Sequence, residues 1–286
     1  MKVVVKSHLS FNPKSLLSIE PSRNAGVSYL LLSLMIFISS CGSFIIPRKN
    51  KNMDISDDSY TAMSTRDYAD HLASLKNPFL STPGIKTIKL DKKIERYLES
   101  LLANIIGKNE IFFKDLKSAT VTILDIDAPL YFSLPHGELF LSKGLISKYI
   151  KHESMLVSVL SFELVRSERI LYPKETIIPL GFVPLERIIT LNRLSLEEKM
   201  EIHKWAYHLT VRSGYDGEYY LSWLQTQNRN TADFILQVGD ANQISREESL
   251  FKAFLIKHSL EDTIVTNKNS SKAFYTFLNL IRDRVI

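Results

Sequence analysis

Val27 to Ser40 (VSYLLLSLMIFISS) is the only stretch of this 286-residue chain apolar enough to enter a bilayer, and it stops at the only cysteine, Cys41. The run is 14 residues long and uncharged. A spanning helix needs about 20 apolar residues, so the run is short for one and fits the h-region of a secretory signal. Lys2, Lys6, Lys14 and Arg23 precede it as a long positive n-region. Whatever folds must therefore be built from the residues that follow. A single cysteine allows it neither an internal disulfide nor a cysteine-based zinc cluster.

Ile38-Ser39-Ser40-Cys41 resembles the bacterial lipobox, an aliphatic residue and two small ones before a cysteine. The resemblance implies a signal peptide over residues 1–40, cleavage before Cys41, and acylation of Cys41 as the anchor to a lipid bilayer. Acyl chains on both the thiol and the new amino group exceed the two-signal threshold for stable anchoring. Gly42, rather than Asp, follows the cysteine. That implies the periplasmic face of the outer membrane rather than the inner membrane. Residues 41–87 carry PRKNKN, then Asp54, Asp57 and Asp58, then Pro78 and Pro83, with weak hydrophobic periodicity. They read as a flexible tether, with room for a short helix over Ser64–Leu75.

The remainder has the composition of an ordinary globular protein. Apolar residues make up 45% and charged residues 23%, which excludes a mostly disordered chain. Mean hydropathy is −0.03, and with one apolar run the chain is not a polytopic membrane protein. Thirty-six basic and 31 acidic residues give a net charge of +5, too even a balance for a nucleic-acid partner. Internal repeats, a P-loop, G-x-G-x-x-G and G-x-S-x-G are all missing.

A folded domain is expected over residues 88–286. Ile94, Tyr97, Leu98, Leu101, Leu102 and Ile105 recur at helical spacing within Leu90–Ile106, with Gly107 as the stop. Ala119–Ile126 alternates and is β-branched, so a strand is expected. Tyr131–Leu134 and Glu138–Leu141 are two short strands about Pro135-His136-Gly137. Helices are expected from Gly144, over His152–Ile170, over Ser195–Val211 with Ser195 as N-cap, and over Glu218–Gln227, Arg246–His258 and Ser271–Arg284. Tyr172–Thr190 reads as a loop with short elements. The fold class is α+β, dominated by helices, with one small sheet.

This order of elements is similar to that of the secreted zinc metallopeptidases of the HtpX, Oma and BepA type, within the gluzincin group. The similarity covers roughly residues 90–228. The string Tyr131 to Leu141 (YFSLPHGELFL) resembles the family's edge-strand segment N-A-F-x-L-P-G-G-x-I-x-V. Gly144-Leu145-Ile146 resembles its G-L-L, and Glu153 to Ser161 its run into the active helix. Arg212 to Asp216 (RSGYD) resembles its R-A-G-Y-D-P. The resemblance implies a gluzincin-like domain in which Tyr131, Leu134, His136 and Gly137 border the substrate cleft.

The chemistry does not carry over. In the family, H-E-x-x-H follows that run, two His on one helix face bind zinc, and the Glu activates the zinc-bound water. Here the five positions read Phe162-Glu163-Leu164-Val165-Arg166. Counting back from Gly-Tyr-Asp puts the third ligand position at Lys199; Glu198 or Glu201 takes that place only if the register slips. Phe has no lone pair to give and Arg stays protonated. The expectation is no zinc, no cofactor and no family-type hydrolysis. Glu163 is then a vestige, paired with Arg166 at i+3 and approached by Lys199, two cations holding it ionised. An alternative is an active peptidase with a relocated metal site at His136, Glu163 and His203. The aromatic group from Trp205 to Trp223 reads as core. The expected role is binding or regulation in the cell envelope, with an extended peptide or an envelope protein as partner at the 131–141 strand. A purely structural envelope lipoprotein is the second alternative.

Overall fold

The computed structural model describes residues 64–116, 118–172, 181–258 and 269–284. The signal segment, Cys41 and the first part of the tether lie outside the described residues, as does much of the loop after Tyr172.

The described chain opens earlier than residue 88. Helices α1 (Thr65–Ser74) and α2 (Lys76–Leu80) belong to the folded body, with Ser64 capping α1 through its side chain. Asp91 caps the long helix α3 (Lys92–Lys108), which runs through Gly107 to end at Asn109. Strands β1 (Thr120–Leu124), β2 (Tyr131–Leu134) and β3 (Glu138–Ser142) follow, then the short helix α4 (Lys143–Lys148). Helix α5 spans Glu153–Arg169 and stops where Ile170 turns left-handed. Helices α6 (Leu185–Leu191), α7 (Leu196–Arg212), α8 (Glu218–Arg229), α9 (Thr231–Val238), α10 (Ala241–His258) and α11 (Lys272–Arg282) complete the set. Ser195 and Glu198 form a full capping box on α7. The architecture is α+β, helix-rich with one small sheet, as the sequence pattern implies. The pattern missed α2, α9 and the first five residues of α10.

The sheet order is β1-β3-β2, with β1 parallel and β2 antiparallel to β3. His136 and Gly137 both take left-handed φ, +65° and +76°. They lie in the three-residue loop, Pro135-His136-Gly137, that joins the paired Leu134 and Glu138. Ser167 of α5 clamps this turn: its hydroxyl donates to the Leu134 carbonyl at 2.9 Å and accepts from the Gly137 N–H at 2.8 Å.

Both sheet faces are buried. Ile123, Tyr131, Leu139 and Leu141 pack into the main core with α3, α5, α7 and α8. Leu124, Phe132, Leu134 and Phe140 pack with Tyr68, Leu72, Leu75 and Phe79 on the other side. Phe79 sets its ring edgewise against Phe132 and Phe140, at 5.7 and 5.8 Å between centroids. Residues 64–80 are therefore the cover of the sheet's second face, and the stretch free to act as a tether ends before Ser64. The alternating β3 sequence Glu138-Leu139-Phe140-Leu141 would expose Phe140 if nothing covered that face.

Candidate functional site

Helix α5 runs through the centre of the domain. Every residue from Glu153 to Ser167 is buried, so its sequence carries no clean amphipathic stripe. One face of it meets α7, and across this seam Phe162, Arg166 and Lys199 come together with His203 and Glu247. Phe162 places its ring 4.7 Å from the ring of His203 and 6.3 Å from that of Tyr131. The Arg166 guanidinium lies over the Phe162 ring at 5.2 Å, a cation–π contact sealed from solvent.

Glu163 is fully buried. Its carboxylate lies 3.3 Å from Arg166 Nη1, and neither oxygen takes part in a hydrogen bond among the described residues. Arg166 spends its better hydrogen bond, 2.8 Å, on the side-chain oxygen of Asn192 in the turn after α6. Burial pushes the Glu163 carboxyl above the ordinary carboxylate range. The charges of Arg166 and Lys199 and the neighbouring Ser133 hydroxyl oppose that shift without cancelling it. Ser133 itself shares a 3.2 Å hydrogen bond with the Tyr172 hydroxyl. Of the two cations expected beside Glu163, Arg166 is there, and Lys199 is engaged elsewhere.

Lys199 pairs with Glu247 of α10, Nζ to Oε1 2.7 Å, both side chains nearly buried. His203, one turn along α7, receives the Tyr220 hydroxyl at Nδ1 (3.0 Å) and approaches the other Glu247 oxygen with Nε2 (3.4 Å). Burial alone would raise the Glu247 carboxyl. The hydrogen bond from His203 and the charge of Lys199 outweigh it and hold it below the ordinary value. Burial pushes His203 down against the pull of Glu247, which favours the neutral ring. Sequence reasoning missed Glu247. Its signal was there: it shares the three- and four-residue spacing of Ile244 and Phe251, both buried, so it stands on the apolar stripe of α10.

The residues of the relocated metal site do not converge. His136 is exposed and turns to Asp70 of α1, with Nε2 2.7 Å from Oδ1. His203 faces Glu247 instead. Among the described residues, no three His, Cys, Asp or Glu side chains are grouped as a metal site would need.

The cleft-edge strand is also covered. Tyr131, Phe132, Ser133 and Leu134 are all buried. Gln237 of α9 accepts a hydrogen bond from the Tyr131 N–H at 3.2 Å and donates one to the Tyr131 carbonyl. The Tyr131 hydroxyl donates to Gln227 of α8 at 3.0 Å, which fixes the ring against Trp223. An extended peptide adding to β2 would need the positions these side chains hold. The aromatic residues divide: Tyr220 and Trp223 are core, whereas Trp205 is 46% exposed.

No protein-family model matches the chain, and no curated protein matches it at a significant level.

Proposed function

We propose that this chain is a bacterial lipoprotein, anchored at the periplasmic face of the outer membrane through acylated Cys41, whose domain has the gluzincin plan without its zinc chemistry. The role is binding or regulation in the cell envelope. One observation carries this reading. The three positions that would hold zinc are occupied by Phe162, Arg166 and Lys199, and each is locked into packing or pairing that uses it for something else. A catalytic zinc needs three donor side chains and an open coordination position. Here the positions offer a ring, a guanidinium and an ammonium around a carboxylate sealed from water. The proposed attachment at Cys41 rests on the lipobox-like Ile38-Ser39-Ser40-Cys41 at the end of the apolar run.

A second reading, a purely structural envelope lipoprotein, is favoured by Gln237, which closes the strand where the resemblance would seat a peptide. Any binding surface therefore lies elsewhere on the domain.

The test is metal analysis of the purified full chain, with general peptidase activity on the same sample and acyl labelling of wild type against Cys41→Ser. The expected result is no stoichiometric zinc, no hydrolysis, and label on the wild type alone. Stoichiometric metal with chelator-sensitive hydrolysis would overturn the non-catalytic reading. An unlabelled wild type would overturn the lipoprotein reading.

A further inference from the structure

We propose that the groove between α3 and the free edge of β1 binds an extended peptide of mixed apolar and basic residues, which adds to β1 as a fourth strand. This rests on the reading of the chain as a binding protein and supplies the site and partner chemistry that reading lacks.

The groove is large, about 910 Å³, at the upper end of the range for ligand sites. It follows one face of α3 from Glu95 to Gly107. That is about 18 Å at 1.5 Å per residue, room for about five extended residues. Its opposite wall is the beginning of β1. The Thr120 N–H donates to the Gly137 carbonyl at 2.8 Å, so Thr120 turns its backbone groups inward to β3. By alternation Ala119, Val121 and Ile123 turn theirs outward. The far end of this edge is already paired. The Ile88 N–H donates to the Ile123 carbonyl at 2.9 Å, and the Asp125 N–H to the Lys86 carbonyl at 2.8 Å. Among the described residues, Thr87–Leu124 is the only bridge on that side of β1. The chain then leaves the sheet at Leu90 to start α3, and the line it occupied continues into the groove past Val121. A guest strand would extend a ladder that the protein has already begun.

Charge selects the guest. The floor is apolar, with Leu98, Leu102 and Phe113 beneath the half-buried Ile106 and Val121. The rim carries exposed Glu95, Glu99 and Glu110 against Lys114 alone among the described lining residues. This acidic border stands on a chain whose net charge is +5. Lys and Arg stems would lie along the apolar wall while their heads reach the glutamates. An open sheet edge is a liability unless it is blocked or used, and Thr120 and Val121 put no charge on it.

The test uses the full chain in uncharged detergent with two fluorescein-labelled nonapeptides, one alternating Lys and Val, the other Glu and Val. Binding is read by anisotropy. The Lys peptide is expected to bind at least tenfold tighter than the Glu peptide. Glu95→Lys with Glu99→Lys, both exposed positions, should weaken the Lys peptide at least tenfold. Val121→Pro, which removes one outward N–H at an edge position that tolerates proline, should weaken it at least fivefold. Binding of the Lys peptide that survives charge reversal, or no binding by either peptide, would overturn the proposal. Loss on charge reversal with full binding in Val121→Pro would overturn strand addition. None of these outcomes depends on metal content or peptidase activity, which test the broader reading separately.

Discussion

Gln237 pairs with Tyr131 through both of the outward-facing backbone groups of that residue, accepting from its N–H and donating to its carbonyl. A side-chain amide offers the same donor and acceptor as a peptide bond, so Gln237 acts as the first rung of a strand that is not there. The two open edges of the sheet are thereby treated differently. The β2 edge is met at Tyr131 from within by α9, and on the β1 edge the described residues pair at Ile123 and Asp125 alone.

Gln237→Leu should cost about 2–6 kcal/mol, because two buried backbone groups lose their partners at about 1–3 kcal/mol each. Gln237→Glu should cost more, since a carboxylate would face the Tyr131 carbonyl in place of a donor. Chemical denaturation of the three proteins at pH 7 measures both. A Leu variant as stable as wild type would show that water or another group satisfies Tyr131, and that β2 can be opened.

Arg166 and Glu163 should be strongly non-additive. Arg166→Met leaves a fully buried carboxylate without its nearest charge, a change that costs about 3–5 kcal/mol for a buried pair. Arg166→Met with Glu163→Gln should recover most of that loss. The pH dependence has a definite sign. A carboxyl whose folded pKa is raised contributes stability below its unfolded pKa and loses it as pH rises through the folded value. Removing Arg166, the first of the influences opposing burial, raises the folded value further. The deficit of Arg166→Met against wild type should therefore be larger at pH 8 than at pH 5 in thermal melts. Additive single effects would sink the pairing.

Glu247 has the opposite sign. Its folded pKa is depressed, so its contribution is present above the unfolded value, about 4.3, and is lost as pH falls through the folded value. Glu247→Gln removes the partner of nearly buried Lys199 and should cost about 3–5 kcal/mol at pH 7. The gap to wild type should narrow below about pH 4. A constant gap from pH 7 to pH 3 would mean that the carboxylate is not what stabilises this junction.

The elements were legible where one period dominates. The stripe of Ile94, Tyr97, Leu98, Leu101 and Leu102 marks α3, and Ser195 with Glu198 marks the start of α7. Gly107 misled, because a glycine on an exposed helix face costs only about 1 kcal/mol and need not end it. The role of residues 64–80 was hidden because their burial depends on the far face of the sheet, and only Tyr68, Leu72, Leu75 and Phe79 speak for it. The strands β2 and β3 gave the clue: nearly every residue in them is buried, so a second cover had to exist. At the site, Phe162 and Arg166 of α5 lie on a helix that faces Lys199 and His203 of α7. The sequence reading assigned Lys199 to Glu163 because both lie on facing helices, and the competing carboxylate, Glu247, comes from a third helix that local spacing cannot place.

The last prediction concerns the resemblance itself. Phe162 and Arg166 are one turn apart on α5, and Lys199 and His203 are one turn apart on the facing helix α7, with Glu163 between Phe162 and Arg166 in sequence. Phe162→His, Arg166→His and Lys199→Glu together would supply two imidazoles and a carboxylate around Glu163. Without metal the triple variant should be less stable than wild type. Asn192 loses Arg166, and the new carboxylate would stand close to Glu247, which keeps only His203. Zinc should then raise the melting temperature of the triple variant and leave that of wild type unchanged, because three donors suffice to bind it. Adding Glu163→Gln should leave the zinc-dependent shift in place, since that carboxylate is assigned to the water and not to the metal. Hydrolysis need not return, because the partners that orient ligands in working enzymes are not built by these three changes. A triple variant that folds, by circular dichroism, and shows no zinc-dependent shift would count against this placement of the ligand positions and against the gluzincin plan with it.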